Sequence, residues 1–380
     1  MNFGAVMNND TFNLIEHAVR TGGAQSALDL LVTIAQKDKN YPLLFEARLM
    51  QARHKIGLPL IFNASLDDLP EEQRQAYEEA MKEAARETGN LFLADGDIPR
   101  AWPYFRAIGD PAPVAAAIEK IDKPDQLDGI IEVAFGQGVH PRKGFELLLK
   151  NHGICRAITF FEQYPDPKTR EQCALLLLRA LHTELVDNLK HAILRTEGQQ
   201  PDGSSVSDLI RGRDWLFGDL DYYVDTAHLT AIIPLALDFT DPEALRLAIE
   251  LCDYGAHLSS KFQYRTDPPF EDFYNDHAVF IKALLGCDVD TAVTHFRQKV
   301  YAATAGTGPA QILVLLLTRL KRYRDAIEVS LEYLGDQNPN QLACPAIPQL
   351  CQLAGDYDSL REIARRRGDI LNFTAATIGT

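Results

Sequence analysis

The chain has 380 residues, of which 46% are hydrophobic and 24% are charged, as in globular proteins with a buried core. Its 53 Asp and Glu residues outnumber 38 Lys and Arg residues and give a net charge of −15. This charge argues against nucleic-acid and membrane-surface partners, which are bound through clustered Lys and Arg. The longest apolar runs are far shorter than the roughly 20 residues that a membrane-spanning helix needs.

The first residues lack the basic and apolar regions of a signal peptide. The six cysteines are scattered along the chain without a Cys-x-x-Cys pair, which is typical of reduced thiols. We therefore expect a cytoplasmic protein.

Helical periodicity dominates the first half of the chain. Two amphipathic segments, around Leu14 and around Leu30, are separated by Gly22 and Gly23. Further helices are predicted at 42–56, 70–95, 98–107, 112–121, 125–135, 141–149, 152–163 and 168–196. The breaks between them fall at Gly or Pro, and strand-like alternation is nearly absent. The predicted fold class is all-α.

One polar, turn-rich segment interrupts this pattern. The run EGQQPDGSS begins at Glu197 and has no apolar residue to anchor it. Such composition is typical of an exposed loop or a domain boundary. The sequence therefore predicts a helical-hairpin region at 1–196, a polar loop or linker at 197–208 and a second helical region at 209–380.

The second region contains a repeat. Turn residues Cys287, Lys321 and Gly355 are each 34 residues apart. The small residues Ala292 and Ala326 each lie five residues after their turn and so repeat with the same period. Each unit has an apolar helix, a short turn with an acidic residue, and a second helix. A helix–turn–helix period of 34 residues is that of tetratricopeptide repeats.

A segment of the first region, TGNLFLADGDIPRAWPYFRAIGDPAP, resembles this family more closely. The positions at which tetratricopeptide repeats favour Gly, an aromatic residue, Gly, Ala, an aromatic residue and Pro hold Gly89, Phe92, Gly96, Ala101, Phe105 and Pro113. Small residues allow close approach of two helices, a glycine opens the turn, and we expect the proline to end the second helix. The resemblance implies a right-handed stack of antiparallel helical hairpins, an α-solenoid whose concave face binds other proteins.

The sequence carries no phosphate-binding loop, dinucleotide fingerprint, G-x-S-x-G or H-E-x-x-H motif. Its best candidate for a catalytic site is a set of Asp and His residues on three consecutive predicted helices. Asp221, Asp225 and His228 are spaced to share one face of the first helix. Asp276 and His277 lie on the third helix, about 270–285. Asp253 and His257 lie on the second, at about 241–262, and fit a shared site less well.

First and third helices of a hairpin stack pack side by side, so His228 and His277 could converge on a metal. The candidate metal site is therefore Asp225, His228, Asp276 and His277, with a divalent ion such as Zn or Fe. The alternative is a solvated face whose aspartates cap helices.

A second candidate is a ligand or interface groove beside the polar loop. Aromatic and Arg residues that commonly anchor interfaces are crowded there: Arg211, Arg213, Trp215, Tyr222 and Tyr223. The same residues could instead pack the two helical regions together.

These observations favour an interaction or scaffold protein that binds a peptide, a protein or a small ligand on a concave face, and no cofactor is predicted for that function. The alternative is a metal-dependent enzyme that uses the Asp/His cluster. The sequence leaves open whether any reaction is catalysed.

Overall fold

The computed structural model describes residues 9–61, 65–121, 125–163, 167–303 and 306–379, and these residues form helices and connecting turns without a β-strand. The all-α prediction is therefore confirmed. The chain divides into two compact units, Met1–Asn151 and His152–Thr380. The predicted linker 197–208 lies inside the second unit.

The first unit is a series of helices that pack mainly on their neighbours along the chain. Its helices are α1 Asn9–Lys37, α2 Tyr41–Lys55, α3 Glu71–Ala94, α4 Ile98–Ala107, α5 Ala112–Glu119 and α6 Leu127–Ile131, with a π-helical turn at Glu132–Gly136. Helix α7, Pro141–Glu162, crosses from the first unit into the second. Gly23 and Gly153 have positive φ angles that kink α1 and α7, where the sequence predicts breaks.

The helices of the second unit are α8 Pro167–Glu197, α9 Val206–Ile210, α10 Thr226–Ile232, α11 Pro242–His257, α12 Phe273–Leu284, α13 Val289–Ala302, α14 Gly308–Arg319, α15 Tyr323–Tyr333, α16 Ile347–Ala354, α17 Tyr357–Arg367 and α18 Ile370–Ile378. The helices from α11 onward also pack mainly on their neighbours along the chain, whereas α8 packs more on α11 than on α9 or α10. Short 3₁₀ segments occur at Asp214–Phe217 and Ile233–Asp238.

Both ends of the polar segment 197–208 are held to the second unit. Glu197 accepts hydrogen bonds of 2.7 and 3.1 Å from Arg213. At the other end, the Val206 N–H donates to Glu250 over 2.8 Å, and Ser205 caps α9. The polar composition reflects exposure to solvent, which does not prevent a segment from being anchored at its ends.

The repeated turns have a common backbone geometry. Lys321 and Gly355 have φ angles of 58° and 66°, and the residue after each donates its N–H to a carbonyl five positions earlier. In the preceding hairpin this geometry belongs to Gly286, with φ 81°, so the turn lies one residue before the predicted Cys287. The spacing from Gly286 to Lys321 is therefore 35 residues.

Helices α3 and α4 form a close hairpin. A Cβ atom on Gly89 would lie only 2.6 Å from Cε2 of Phe105, so this contact requires glycine. Ala101 and Phe105 are fully buried. The predicted role of Pro113 was wrong: α4 already ends at Ala107, and Pro113 lies in the first turn of α5, where its missing N–H costs nothing.

The hairpin of α14 and α15 provides a stability test. Ala326 is fully buried and Glu328 is exposed on the same helix. We expect Ala326→Leu to lower the free energy of unfolding by ~1–3 kcal/mol through overpacking. The same residue introduced by Glu328→Leu should change it by less than ~0.5 kcal/mol. Urea unfolding midpoints measure both, and equal effects would contradict the assigned packing.

The turn geometry gives a second test. A side chain in the left-handed region costs roughly 1–2 kcal/mol relative to its ordinary conformation. We therefore expect Lys321→Gly to raise the unfolding temperature and Gly355→Ala to lower it. Opposite signs in thermal unfolding confirm the geometry, whereas a loss of stability in both variants argues that the Lys321 side chain has a stabilising contact.

Candidate functional site

The predicted stripe of Asp221, Asp225 and His228 does not form on one helix. Helix α10 begins only at Thr226, and Asp225 is its N-cap, accepting a 2.8 Å hydrogen bond from the Ala227 N–H. Asp221 lies in the preceding loop. His228 is on the helix, and its buried Nδ1 has no hydrogen-bond partner among the described residues.

Asp276 and His277 are both buried, and each has its own partners. Asp276 accepts hydrogen bonds from His295 Nε2 at 2.7 Å and from Lys299 Nζ at 2.8 Å, which join α12 to α13. His277 Nδ1 donates to the carbonyl of Phe273 at 2.7 Å. Its ring stacks on Phe270 at a centroid distance of 4.0 Å.

The structure does not bring Asp225, His228, Asp276 and His277 together as one ligand set. Among the residues that the structure describes, no group of three or more His, Cys, Asp or Glu side chains is placed to hold a metal ion. The physical reason is that capping, an interhelical ion pair and aromatic stacking already occupy three of the four side chains.

The five residues of the predicted groove separate into two classes. Arg213 pairs with Glu197, and Tyr223 is half-buried with its N–H donating to the Tyr254 hydroxyl at 2.7 Å. These two residues hold the local fold. Trp215 and Tyr222 are exposed, and the exposed Arg211 pairs with Asp208, three residues earlier.

Tyr222 belongs to a surface made by two neighbouring loops, 218–225 and 258–264, which we call the two-loop surface. The Ser259 hydroxyl donates to the Asp219 carbonyl at 3.2 Å, and Lys261 pairs with the Asp219 carboxylate at 2.9 Å. The rings of Tyr222 and Phe262 meet edge to face at 5.3 Å. These contacts hold the loops together.

Large apolar side chains point into solvent from the two-loop surface. Leu220 is 73% exposed, Tyr222 55% and Tyr264 50%. Sequence reasoning identified Tyr222 and missed Leu220 and Tyr264. The available signal was the alternation Asp-Leu-Asp-Tyr at 219–222, in which apolar residues are separated by acids outside any helix.

A polar cavity of about 780 Å³ in the first unit was not predicted. It lies at the helix turns, where Asp95 accepts hydrogen bonds from Lys39 Nζ at 2.8 Å and from the Tyr41 hydroxyl at 2.7 Å. Hydrogen bonds from Lys39 and Tyr41 hold the pKa of Asp95 below its usual range. The carboxylate therefore links the α1–α2 turn to the α3–α4 turn.

No family model, no curated protein and no solved structure matches this chain. Within the described ranges, no helix is both long enough and apolar enough to cross a membrane.

The buried imidazole makes stability depend on pH. Burial lowers the pKa of His277 to about 4, against about 6.5 in the unfolded chain. As the pH falls from 7 to 4, the unfolded state gains a proton that the folded state does not, so stability decreases by roughly 3 kcal/mol from this group.

The variant His277→Phe should show a weaker loss of unfolding free energy between pH 7 and pH 4 than the original chain. His191→Phe, at an exposed position, is the matched control and should keep the original dependence. Urea unfolding at several pH values measures both. Identical profiles for the original chain and His277→Phe would contradict a buried neutral imidazole.

Proposed function

We propose that this chain is a cytoplasmic interaction protein, built as a right-handed, tetratricopeptide-like stack of helical hairpins, and that the two-loop surface binds a segment of a partner protein. The close α3–α4 hairpin and the recurring turn geometry support the stack. Hairpin repeats of this kind offer extended surfaces to other proteins, which supports the interaction role by analogy.

The observation that carries the proposal is the exposure of Leu220, Tyr222 and Tyr264 on loops that are held in place. Isolated exposed apolar residues are common, whereas several on one anchored surface mark an interaction site. Tyr side chains are frequent anchors because they bury a large area with few rotatable bonds.

The charge around these residues indicates the chemistry of the partner. The two-loop surface holds three carboxylates, those of Asp219, Asp221 and Asp225, and one Lys side chain, that of Lys261, which pairs with Asp219. An acidic surface steers basic segments and repels acidic ones. We therefore expect a partner segment in which Lys or Arg residues alternate with apolar ones.

A metal-dependent enzyme, the alternative that the sequence left open, has no comparable support. Its four candidate ligands do not form one set in the described structure, and three of them, Asp225, Asp276 and His277, have other structural roles.

A phage-displayed library of random twelve-residue peptides, selected on the full chain, tests the interaction proposal. We expect the enriched peptides to carry more Lys and Arg than Asp and Glu. The double variant Leu220→Ser, Tyr222→Ser should weaken their binding by at least about tenfold, the effect of losing interface anchors. Raising the salt concentration should also weaken binding.

The matched control removes one exposed Leu and one exposed Tyr elsewhere in the second unit. Leu353 and Tyr301 are 50% and 64% exposed and lie outside the two-loop surface. Leu353→Ser, Tyr301→Ser should leave binding within about twofold of the original. Equal losses in the two double variants, or enrichment of acidic peptides, would refute the proposal.

A further inference from the structure

Two hairpin turns, one in each unit, share a Lys-x-Tyr sequence on the same backbone. Lys39 and Lys321 have φ angles of 49° and 58°. In both turns the following residue donates its N–H to a carbonyl five positions earlier, over 2.9 and 2.8 Å. Tyr41 and Tyr323 then begin α2 and α15. The Lys and Tyr side chains therefore start from equivalent positions.

In the first unit, the next hairpin turn supplies a carboxylate to this pair. Asp95 directly precedes the left-handed Gly96 of the α3–α4 turn and accepts from both Lys39 and Tyr41. The Lys-x-Tyr turn thus acts as a carboxylate receptor, and its ligand in the first unit is the side chain of Asp95 from the same chain. Such bonds are strengthened by the two opposite charges.

In the second unit, the equivalent position is an alanine. Ala354 directly precedes Gly355, whose turn has the same hydrogen bonds as that of Gly96. Ala354 lines a cavity of about 350 Å³ together with Lys321 and Tyr323. Lys321 Nζ and the Tyr323 hydroxyl make no hydrogen bond or ion pair with a described residue.

The other side chains that line this cavity are Arg322, Arg324 and Asp325. Arg322 pairs with Asp290 on α13, so its charge is already matched by a carboxylate of the chain. Arg324 is a second cation at the cavity, shared electrostatically with the carboxylate of Asp356 directly after Gly355, and Asp325 contributes one carboxylate. The lining has three cations and one carboxylate, on a chain whose net charge is −15. Because Arg322 and Arg324 each have a carboxylate nearby, Lys321 is the cation that attracts an anionic group.

We propose that the cavity of Lys321, Tyr323 and Ala354 binds a carboxylate group from outside the chain, held as Asp95 is held by Lys39 and Tyr41. The carboxylate belongs either to an acidic side chain of a partner or to a small free acid. This site is separate from the two-loop surface and has the opposite charge preference, so the two proposals fail independently.

Saturation-transfer NMR on the full chain at pH 7 tests the proposal at constant ionic strength. The probes are acetate, inorganic phosphate and N-acetyl-glutamic acid α-amide, a capped glutamate whose free carboxylate is that of the side chain. We expect acetate to bind at one site. Binding of the capped glutamate as well identifies side-chain carboxylates as ligands, and binding of acetate alone identifies a small free acid. Phosphate that binds as tightly as acetate would overturn a carboxylate-selective site.

Ala354→Asp should fill the cavity from within and weaken acetate binding by at least about tenfold. Leu353→Asp adds the same charge at the neighbouring exposed position and should change binding by less than about twofold. Lys321→Gln, which removes the cation, should abolish binding. The proposal is overturned if acetate does not bind or if Ala354→Asp leaves its binding unchanged.

The reciprocal variant is made in the first unit. Asp95→Ala should empty the receptor of Lys39 and Tyr41 and create a second acetate site of similar affinity. A variant that still binds one acetate would show that a Lys-x-Tyr turn does not suffice to bind a carboxylate, which would also overturn the proposal.

Discussion

The compact helical-hairpin turn is the constraint on which the rest of the structure depends. One residue in the left-handed region ends a helix, and the next residue donates its N–H back to a carbonyl of that helix. At four turns this next residue is Asn40, Asp97, Asp356 or Asp369, and its side chain caps the following helix by accepting the N–H three positions later. Two adjacent residues thus supply hydrogen bonds to the end of one helix and to the start of the next, which allows a short connection between packed helices.

The same turn also fixes where functional side chains can lie. The residue before the left-handed position and the first residue of the next helix both face the edge formed by the turns. At one such edge Lys39, Tyr41 and Asp95 complete each other's hydrogen bonds, and at another Lys321 and Tyr323 face an alanine. The side chain before the left-handed glycine differs between the two edges. Asp95 links two hairpins through Lys39 and Tyr41, whereas Ala354 leaves a cavity beside the Lys321 and Tyr323 donors.

Burial and pairing explain why the Asp/His cluster is not a ligand set. A carboxylate that is taken out of water must be paired, and Asp276 is paired with His295 and Lys299. His277 is buried between aromatic rings, where the neutral imidazole is favoured. Neighbouring residues on a helix point about 100° apart, so Asp276 and His277 meet different surroundings.

The sequence by itself determined the helical class and most helix positions, because apolar periodicity and Gly or Pro breaks are local signals. Helix α4 has the predicted bounds 98–107, and α8 differs from its prediction by one residue at each end. Local signals also identified Tyr222 as a candidate interface residue, and the structure leaves its side chain exposed. The tertiary structure alone decided that Asp225 caps a helix, that loops 218–225 and 258–264 meet, and that Ala354 faces Lys321. Those relations join residues that are distant in the chain or depend on where a helix begins, and helical periodicity carries no information about either.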